Sequence, residues 1–264
     1  MEDANLPLGR KTDYPQKFAP ETLCAISRGG ERERFAGVDI WNAWDLTWLG
    51  LNSVPRAATA EIRVPADSPS IVESKSLKLY LGSFTMSPFA TADDVASRIG
   101  RDLSECVGAD VAVRVLAVAD TEARLVARLA GTCIDDLEVT CSDRDVNPRR
   151  LSADDTIIVS EDLHSHLLRS LCPVTSQPDI GSVQVSYRGP RIDRAGLLRY
   201  IVSFREHNDF HEACVERMYA DILERCRPQE LTVHARYQRR GGIDINPVRS
   251  NSGEAIRNLR LWRQ

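Results

Sequence analysis

Over residues 182–187 the apolar side chains Val183, Val185 and Tyr187 alternate with Ser182, Gln184 and Ser186, the two-residue period of a strand with one buried face. The stretch 161–172 is expected to pair with it. After Pro190, Asp193 stands where a helix cap is needed, and Leu197, Leu198, Ile201 and Phe204 then recur at helical spacing. Phe210, Cys214, Met218, Ile222 and Cys226 form a second helical stripe. Leu231, Val233, Ala235 and Tyr237 alternate with Thr232, His234, Arg236 and Gln238, and Gly241-Gly242 interrupts this strand before IDINPV. The order is β-β-α-α-β-β, which predicts an α+β unit: an antiparallel sheet with helices packed on one face.

The first half repeats this pattern at an offset of 120 residues. ESKSLKLYLGSF at 73–84 falls on DRAGLLRYIVSF at 193–204, sharing Leu77/Leu197, Tyr80/Tyr200, Ser83/Ser203 and Phe84/Phe204. One ungapped register extends this to Leu51/Leu171, Val54/Val174, Val95/Val215, Leu103/Leu223, Cys106/Cys226 and Val113/Val233. In the first copy Val111, Val113 and Val115 alternate as a strand, and Val95, Ile99, Leu103 and Cys106 suit one helical face. Two tandem copies follow, residues 1–150 and 151–264.

Composition narrows the function classes. The chain has 264 residues, 42% apolar and 27% charged, with 34 Lys+Arg against 38 Asp+Glu. That is an ordinary globular balance without the basic field that holds a nucleic acid. No apolar run reaches the roughly 20 residues of a membrane span, and MEDANLPLGR does not read as an export signal, so the cytoplasm is expected. Seven cysteines, an odd number in that setting, predict reduced thiols rather than a disulfide framework.

Four segments carry candidate chemistry. LCPVTSQPDIGS at 171–182 puts Cys172, opposite Asn52 of the other copy, in a turn between strands, with Asp179 seven residues on. A thiol there can attack an electrophilic carbon while a carboxyl supplies the proton. It can equally be one more small buried side chain. HNDFHE at 207–212 spaces His207 and His211 as a metal pair would be. Further ligands are missing nearby, so no metal is expected. His211 as proton donor and Glu212 as acceptor for a polar heterocycle is the other functional reading, and a solvated helix start the plain one. ESKSLKLY at 73–80 joins Glu73, Ser74 and Ser76 to two of the four lysines, Lys75 and Lys78. Phosphate binding and simple helix capping both suit it. RYQRRGGIDINP at 236–247 offers Arg236, Arg239, Arg240 and a glycine pair for a phosphate, or a charged hairpin turn. Neither a Rossmann fingerprint nor a Walker A sequence is present.

Taken together, LCPVTSQPD, ESKSLKLYL, SFREHNDFHE and RRGGIDINP resemble the long, two-module form of the NADPH-dependent 7-cyano-7-deazaguanine reductases, the nitrile reductases of queuosine biosynthesis. The resemblance spans nearly the whole chain. It implies two tunnelling-fold (ββααββ) units and a homodimer acting on a small molecule. It implies Cys172 as a nucleophile forming a covalent thioimide, Asp179 as proton shuttle and His211 near the substrate nitrogen. Glu73 and Glu212, with Val72, Ser74 and His211, would bind the deazaguanine, while Ser74, Lys75, Arg240 and Gly241 would contact NADPH. Because the thiol belongs to one copy and ESKSLKLY to the other, one site per chain is expected, assembled between the repeats. A Cys-dependent nitrile or amide hydrolase, a non-catalytic purine-binding module and a zinc-dependent cyclohydrolase are the rival readings.

Overall fold

A computed structural model describes residues 14–30, 36–119, 125–253 and 255–264. The N-terminal decapeptide read above for export signals lies outside them. Contacts divide the chain into two units. The first comprises the described residues of Met1–Arg34, Val38–Leu125 and Arg239–Asp244; the second comprises those of Phe35–Gly37, Val126–Gln238 and Ile245–Gln264. The boundary therefore falls before the 150/151 expected from the repeat. Residues 126–150 are bound to the second unit instead: Ile134 donates its N–H to His164 O (3.0 Å), and Asn147 N donates to Ser203 Oγ (3.1 Å).

The second unit realises the expected element order. A two-residue strand β6 (Thr132–Cys133) precedes β7 (Ala153–Leu171), β8 (Pro178–Ile192), α3 (Arg194–Val202), α4 (His211–Cys226), β9 (Glu230–Tyr237) and β10 (Ile243–Ser250). Strands β7 to β10 pair antiparallel with their neighbours, and β6 joins β7 in parallel. Leu163, Leu168, Val183, Val185, Leu231 and Val233 from the sheet pack on Leu197, Ile201, Val215, Met218 and Ile222 from the helices, forming one core. Removing this apolar surface from water is the main stabilising contribution.

In the first unit β1 (Ala25–Ser27) pairs with β4 (Ser70–Val72). β2 (Gly37–Leu49) pairs with β3 (Pro55–Pro65), and β3 with β5 (Ala112–Ala117), all antiparallel. Between β4 and β5 run α1 (Ser74–Gly82) and α2 (Ala92–Val107). The final strand of the expected unit does not follow β5 among the described residues.

The duplication reaches individual contacts. Glu73 and Asp193, 120 apart, both cap the following helix through side-chain oxygens, Glu73 to the N–H groups of Lys75 and Ser76 and Asp193 to those of Ala195 and Gly196. Tyr80 and Phe84 meet edge to face with ring centroids 5.2 Å apart; for Tyr200 and Phe204 the distance is 5.4 Å. Ser83 and Ser203 each return a hydroxyl to the tyrosine carbonyl at 2.6 Å.

Beyond this point the ungapped register fails. Tyr80 OH donates to Asp102 and Tyr200 OH to Asp221, a spacing one residue shorter, and the left-handed residues ending the helices, Gly108 and Arg227, show the same slip. Val95, Ile99, Leu103 and Val107 therefore correspond to Cys214, Met218, Ile222 and Cys226, all buried. The pairings Val95/Val215, Leu103/Leu223 and Cys106/Cys226 are chance identities between neighbouring apolar positions. A second departure lies in β9, whose polar face is not solvated. Arg236 is buried because the C-terminal segment accepts its guanidinium at Asn258 Oδ1 (2.8 Å) and Arg257 O (3.0 Å).

Two stability outcomes follow. Tyr200→Phe removes a charge-assisted hydrogen bond of 2.6 Å and should cost about 1.5–3 kcal/mol, read as a lower urea midpoint; an unchanged midpoint contradicts the pairing. Glu73→Ala should cost about 1 kcal/mol by leaving two helix N–H groups uncapped, and a neutral result would mean that its carboxylate has no capping role.

Candidate active site

The chemistry of the second unit is organised by the end of β7. Leu171 is the last residue of that strand and pairs with Pro178, the first of β8. Residues 172–177 close the turn: Cys172 N donates to Gln177 O (2.9 Å) and Ser176 N to Cys172 O (2.9 Å). Ser176 takes the left-handed conformation, with φ 54°. The other edge of Leu171 is also occupied, by the chain entering α4: its N–H donates to His207 O (2.8 Å), and its carbonyl accepts from Asp209 N (3.1 Å). Cys172 is thereby held beside the segment leading to His211.

The turn in the first unit is built in the same way, and it corrects the residue set opposite the thiol. Leu49 N donates to Ser87 O and Phe89 N to Leu49 O, while Gly50 N donates to Val54 O and Ser53 is left-handed. Gly50, not Asn52, is thus the equivalent of Cys172. The second turn is one residue longer.

Asp179 is the second residue of β8, opposite Ser170 in register, and His211 opens α4. His211 Nε2 lies 3.2 Å from Asp179 Oδ2, and both side chains are largely buried. The imidazole stacks on Tyr237, the last residue of β9, with centroids 3.9 Å apart and planes inclined by 19°. Two strands and a helix therefore fix an acid–imidazole pair. Glu212, one residue into α4, is buried in the first turn of that helix. Cys172, Asp179, His211 and Glu212 all belong to the second unit.

All seven cysteines are free thiols, as expected. Burial pushes the Cys214 thiol up to about 12 and those of Cys106 and Cys226 up to about 11. These three stay protonated and poorly nucleophilic at neutral pH. His207 faces Asp209 at 3.5 Å while His211 faces Asp179.

Among the residues singled out in the first unit, Glu73 is buried, with each oxygen accepting one backbone N–H at 2.7 Å. Ser74 and Lys75 occupy the first turn of α1, after Val72 at the end of β4. Arg240 and Gly241 lie in a two-residue hairpin turn, with Arg240 N donating to Ile243 O at 2.9 Å. Both glycines there have positive φ, 60° at Gly241 and 81° at Gly242, the backbone this tight turn demands. The α1 and hairpin segments meet: a Cβ placed on Gly241 would stand 3.3 Å from Lys78 Cδ and Cε. Lys78, one helical turn after Lys75, therefore lies beside this turn, and Arg239, which precedes it, lies over the Trp44 ring at 5.7 Å.

The sequence reading assigned no role to Tyr237 at the imidazole. Its only sequence signal was its place in the apolar alternation of β9, which does not distinguish a core ring from one that orients a catalytic group.

Residues 14–115 match the family model described as nitrile reductase, 7-cyano-7-deazaguanine-reductase N-term, and residues 178–255 match that of QueF-like protein. The chain is 53% identical over 254 residues to an NADPH-dependent 7-cyano-7-deazaguanine reductase of Azoarcus sp., covering 93% of this chain and 90% of the relative. A protein of the same name from Chromobacterium violaceum is 47% identical, covering 98% of this chain and 96% of the relative. The one from Burkholderia multivorans is also 47% identical, with 100% of both chains covered. A crystal structure of the archaeosine synthase QueF-Like in the apo form aligns with TM-score 0.32 and 19% identity, covering 37% of this chain and 96% of that one. With near-complete coverage at about half identity, the chain belongs to the NADPH-dependent 7-cyano-7-deazaguanine reductase family.

Proposed function

We propose that the chain reduces the nitrile 7-cyano-7-deazaguanine to the amine 7-aminomethyl-7-deazaguanine, using two NADPH, by way of a covalent adduct on Cys172. The observation that carries this reading is the 3.2 Å contact between Asp179 and His211, held by the same strand ends that close the Cys172 turn. A nitrile carbon is a weak electrophile, and covalent addition divides its reduction into easier steps. Cys172 gives its thiol proton to the Asp179–His211 pair as Sγ adds to that carbon, one C–N π bond breaks, and nitrogen takes the proton from the pair, giving a thioimide. The stacked Tyr237 ring keeps the imidazole from turning away during this transfer. NADPH, when bound, supplies hydride equivalents. Once the adduct carbon is reduced, expulsion of the Cys172 thiolate leaves an imine that the second equivalent converts to the amine.

Ser74, Lys75, Arg240 and Gly241 are the positions proposed to hold the dinucleotide, and Lys78 and Arg239 fit the same polyanionic group. Their cationic character suits phosphate, and the Gly241 backbone can approach a ligand where a side chain would crowd Lys78. Glu212 and His211 are proposed to face the deazaguanine, whose N–H groups want an acceptor-only carboxylate. Glu73 keeps lone pairs for the same role beyond its two capping bonds, with Val72 and Ser74 beside it in sequence. Burial of Cys172, Asp179 and Glu212 limits water near an activated carbon that would otherwise hydrolyse. This reading takes the enzyme as a cytoplasmic homodimer serving queuosine formation in tRNA, with no direct nucleic-acid or membrane contact. No helix among the described residues is long and apolar enough to cross a membrane.

Incubating the protein with the nitrile in the absence of NADPH should produce a thioimide absorbance that is missing in Cys172→Ala, and that variant should lose at least about a thousandfold in turnover. Two NADPH should be oxidised per amine formed; acid and ammonia released without NADPH oxidation would instead make the chain a hydrolase. Asp179→Asn should lower kcat by about 10²–10⁴-fold, the usual contribution of a positioned proton donor, and a wild-type kcat would remove Asp179 from the mechanism.

A further inference from the structure

Far along β7 from the Cys172 turn, the second unit carries a group of side chains that the reductase chemistry does not use. Cys133 on β6 pairs in parallel register with His164 on β7, so their side chains leave the same face of the sheet. His166, two residues further along β7, projects from that face as well. One ligand atom from each of the three, the Cys133 sulfur and a ring nitrogen of each histidine, lies within 4.8 Å of the others. This is the one grouping of three metal-ligating side chains among the described residues.

The surroundings orient these groups as ligands. His164 Nδ1 lies 3.0 Å from Ala130 O, and a carbonyl can only accept, so Nδ1 carries the proton and Nε2 keeps its lone pair. His166 Nδ1 is 2.8 Å from Ser182 Oγ, which also accepts from Arg263 at 3.2 Å. The Ser182 contact holds the second ring in place. Asp135 accepts the His166 backbone N–H at 3.0 Å and lies against the Cys133 thiol, adding negative charge next to the cluster. The approach of this segment to β7 depends on Gly131, with φ 82°, where a Cβ would come within 2.0 Å of Asp162 O. The arrangement is thus fixed by backbone pairing and is not a chance meeting of mobile side chains.

We propose that Cys133, His164 and His166 bind a divalent cation that favours thiolate and imidazole, zinc foremost. Tetrahedral zinc bonds of about 2.0–2.3 Å bring ligand atoms to roughly 3.3–3.8 Å from one another, so closure by about 1 Å through side-chain rotation completes the set. Three protein ligands leave a fourth position for water, with Asp135 beside it. The ion would staple the two-residue strand β6, a weakly paired edge, onto β7. Such a site has a structural role separate from nitrile reduction. The sequence reading looked for a metal at His207 and His211, where the i, i+4 spacing is conspicuous. The strand-borne pair His164-x-His166 and a cysteine over thirty residues earlier have no comparable signature.

The test uses the full-length protein, stripped with a chelator and titrated with zinc sulfate, then with cobalt chloride as a spectroscopic substitute. One equivalent of zinc per chain should survive dialysis, raise the melting temperature and compete out cobalt. The cobalt form should show a thiolate charge-transfer band. In Cys133→Ser the band should disappear, and in both Cys133→Ser and His166→Ala zinc affinity should fall at least about tenfold, the loss seen even for residues that only support ligands. Turnover of the nitrile by metal-free Cys133→Ser should match that of metal-free wild type, which separates loss of the site from misfolding. Failure of wild type to retain zinc overturns the proposal. So does zinc that persists in Cys133→Ser but is lost in Cys172→Ala, which would assign the ion to the other thiol.

Discussion

The structure turns on Leu171, whose N–H and C=O both bond on one edge of its strand while its other edge faces Pro178. One edge continues the β7–β8 ladder to Pro178, and the other takes His207 O and Asp209 N from the chain entering α4. A single residue thereby ties the turn bearing Cys172, the start of the strand bearing Asp179 and the approach to the helix bearing His211 and Glu212. A backbone junction places them more firmly than side-chain packing could, because a shift of one residue along a ladder reverses which face a side chain points to. Rigid placement of this kind is what a proton donor and a nucleophile acting on one small molecule require.

The first unit builds the same framework around different side chains. Leu49 makes the same two bonds to Ser87 and Phe89, and Gly50 opens an equivalent turn. At matching places Gly50, Arg56, Ala92 and Asp93 stand where the second unit has Cys172, Asp179, His211 and Glu212. One fold thus carries a thiol, a carboxyl and an imidazole in one copy. The other copy carries a helix start with two lysines next to a glycine turn. The tyrosine–phenylalanine packing and the serine hydroxyl bonds to the tyrosine carbonyls recur in both units.

Much of this was legible in the sequence, for definite physical reasons. The alternation in β8 and β9 and the stripes of α3 and α4 reported burial directly, and Asp193 announced its helix because an N-terminal turn needs an acceptor. Two kinds of feature were hidden. The slip in repeat register between the paired helices leaves apolar residues opposite apolar residues in either frame, so identity alone could not detect it; the tyrosine–aspartate bonds could. Likewise the boundary near residue 125 and the buried Arg236 depend on segments of irregular backbone folding against the sheet, and such segments have no period. At the site, the residue types of Cys172 and Asp179 suggested chemistry, but only the Leu171 junction shows why a turn cysteine and a helix-start histidine belong together. The roles proposed for the site residues follow from the family resemblance of these segments and not from their periodicity.

The account rests on carbon–sulfur bond formation at a single position. Intact-mass analysis of the protein held with 7-cyano-7-deazaguanine, followed by proteolysis and peptide sequencing, should find one substrate added per chain on the peptide containing Cys172. The exposed Cys133 and Cys141 should remain unmodified. A stable adduct mapping to any other cysteine, or turnover with no adduct at Cys172 under trapping conditions, would contradict it.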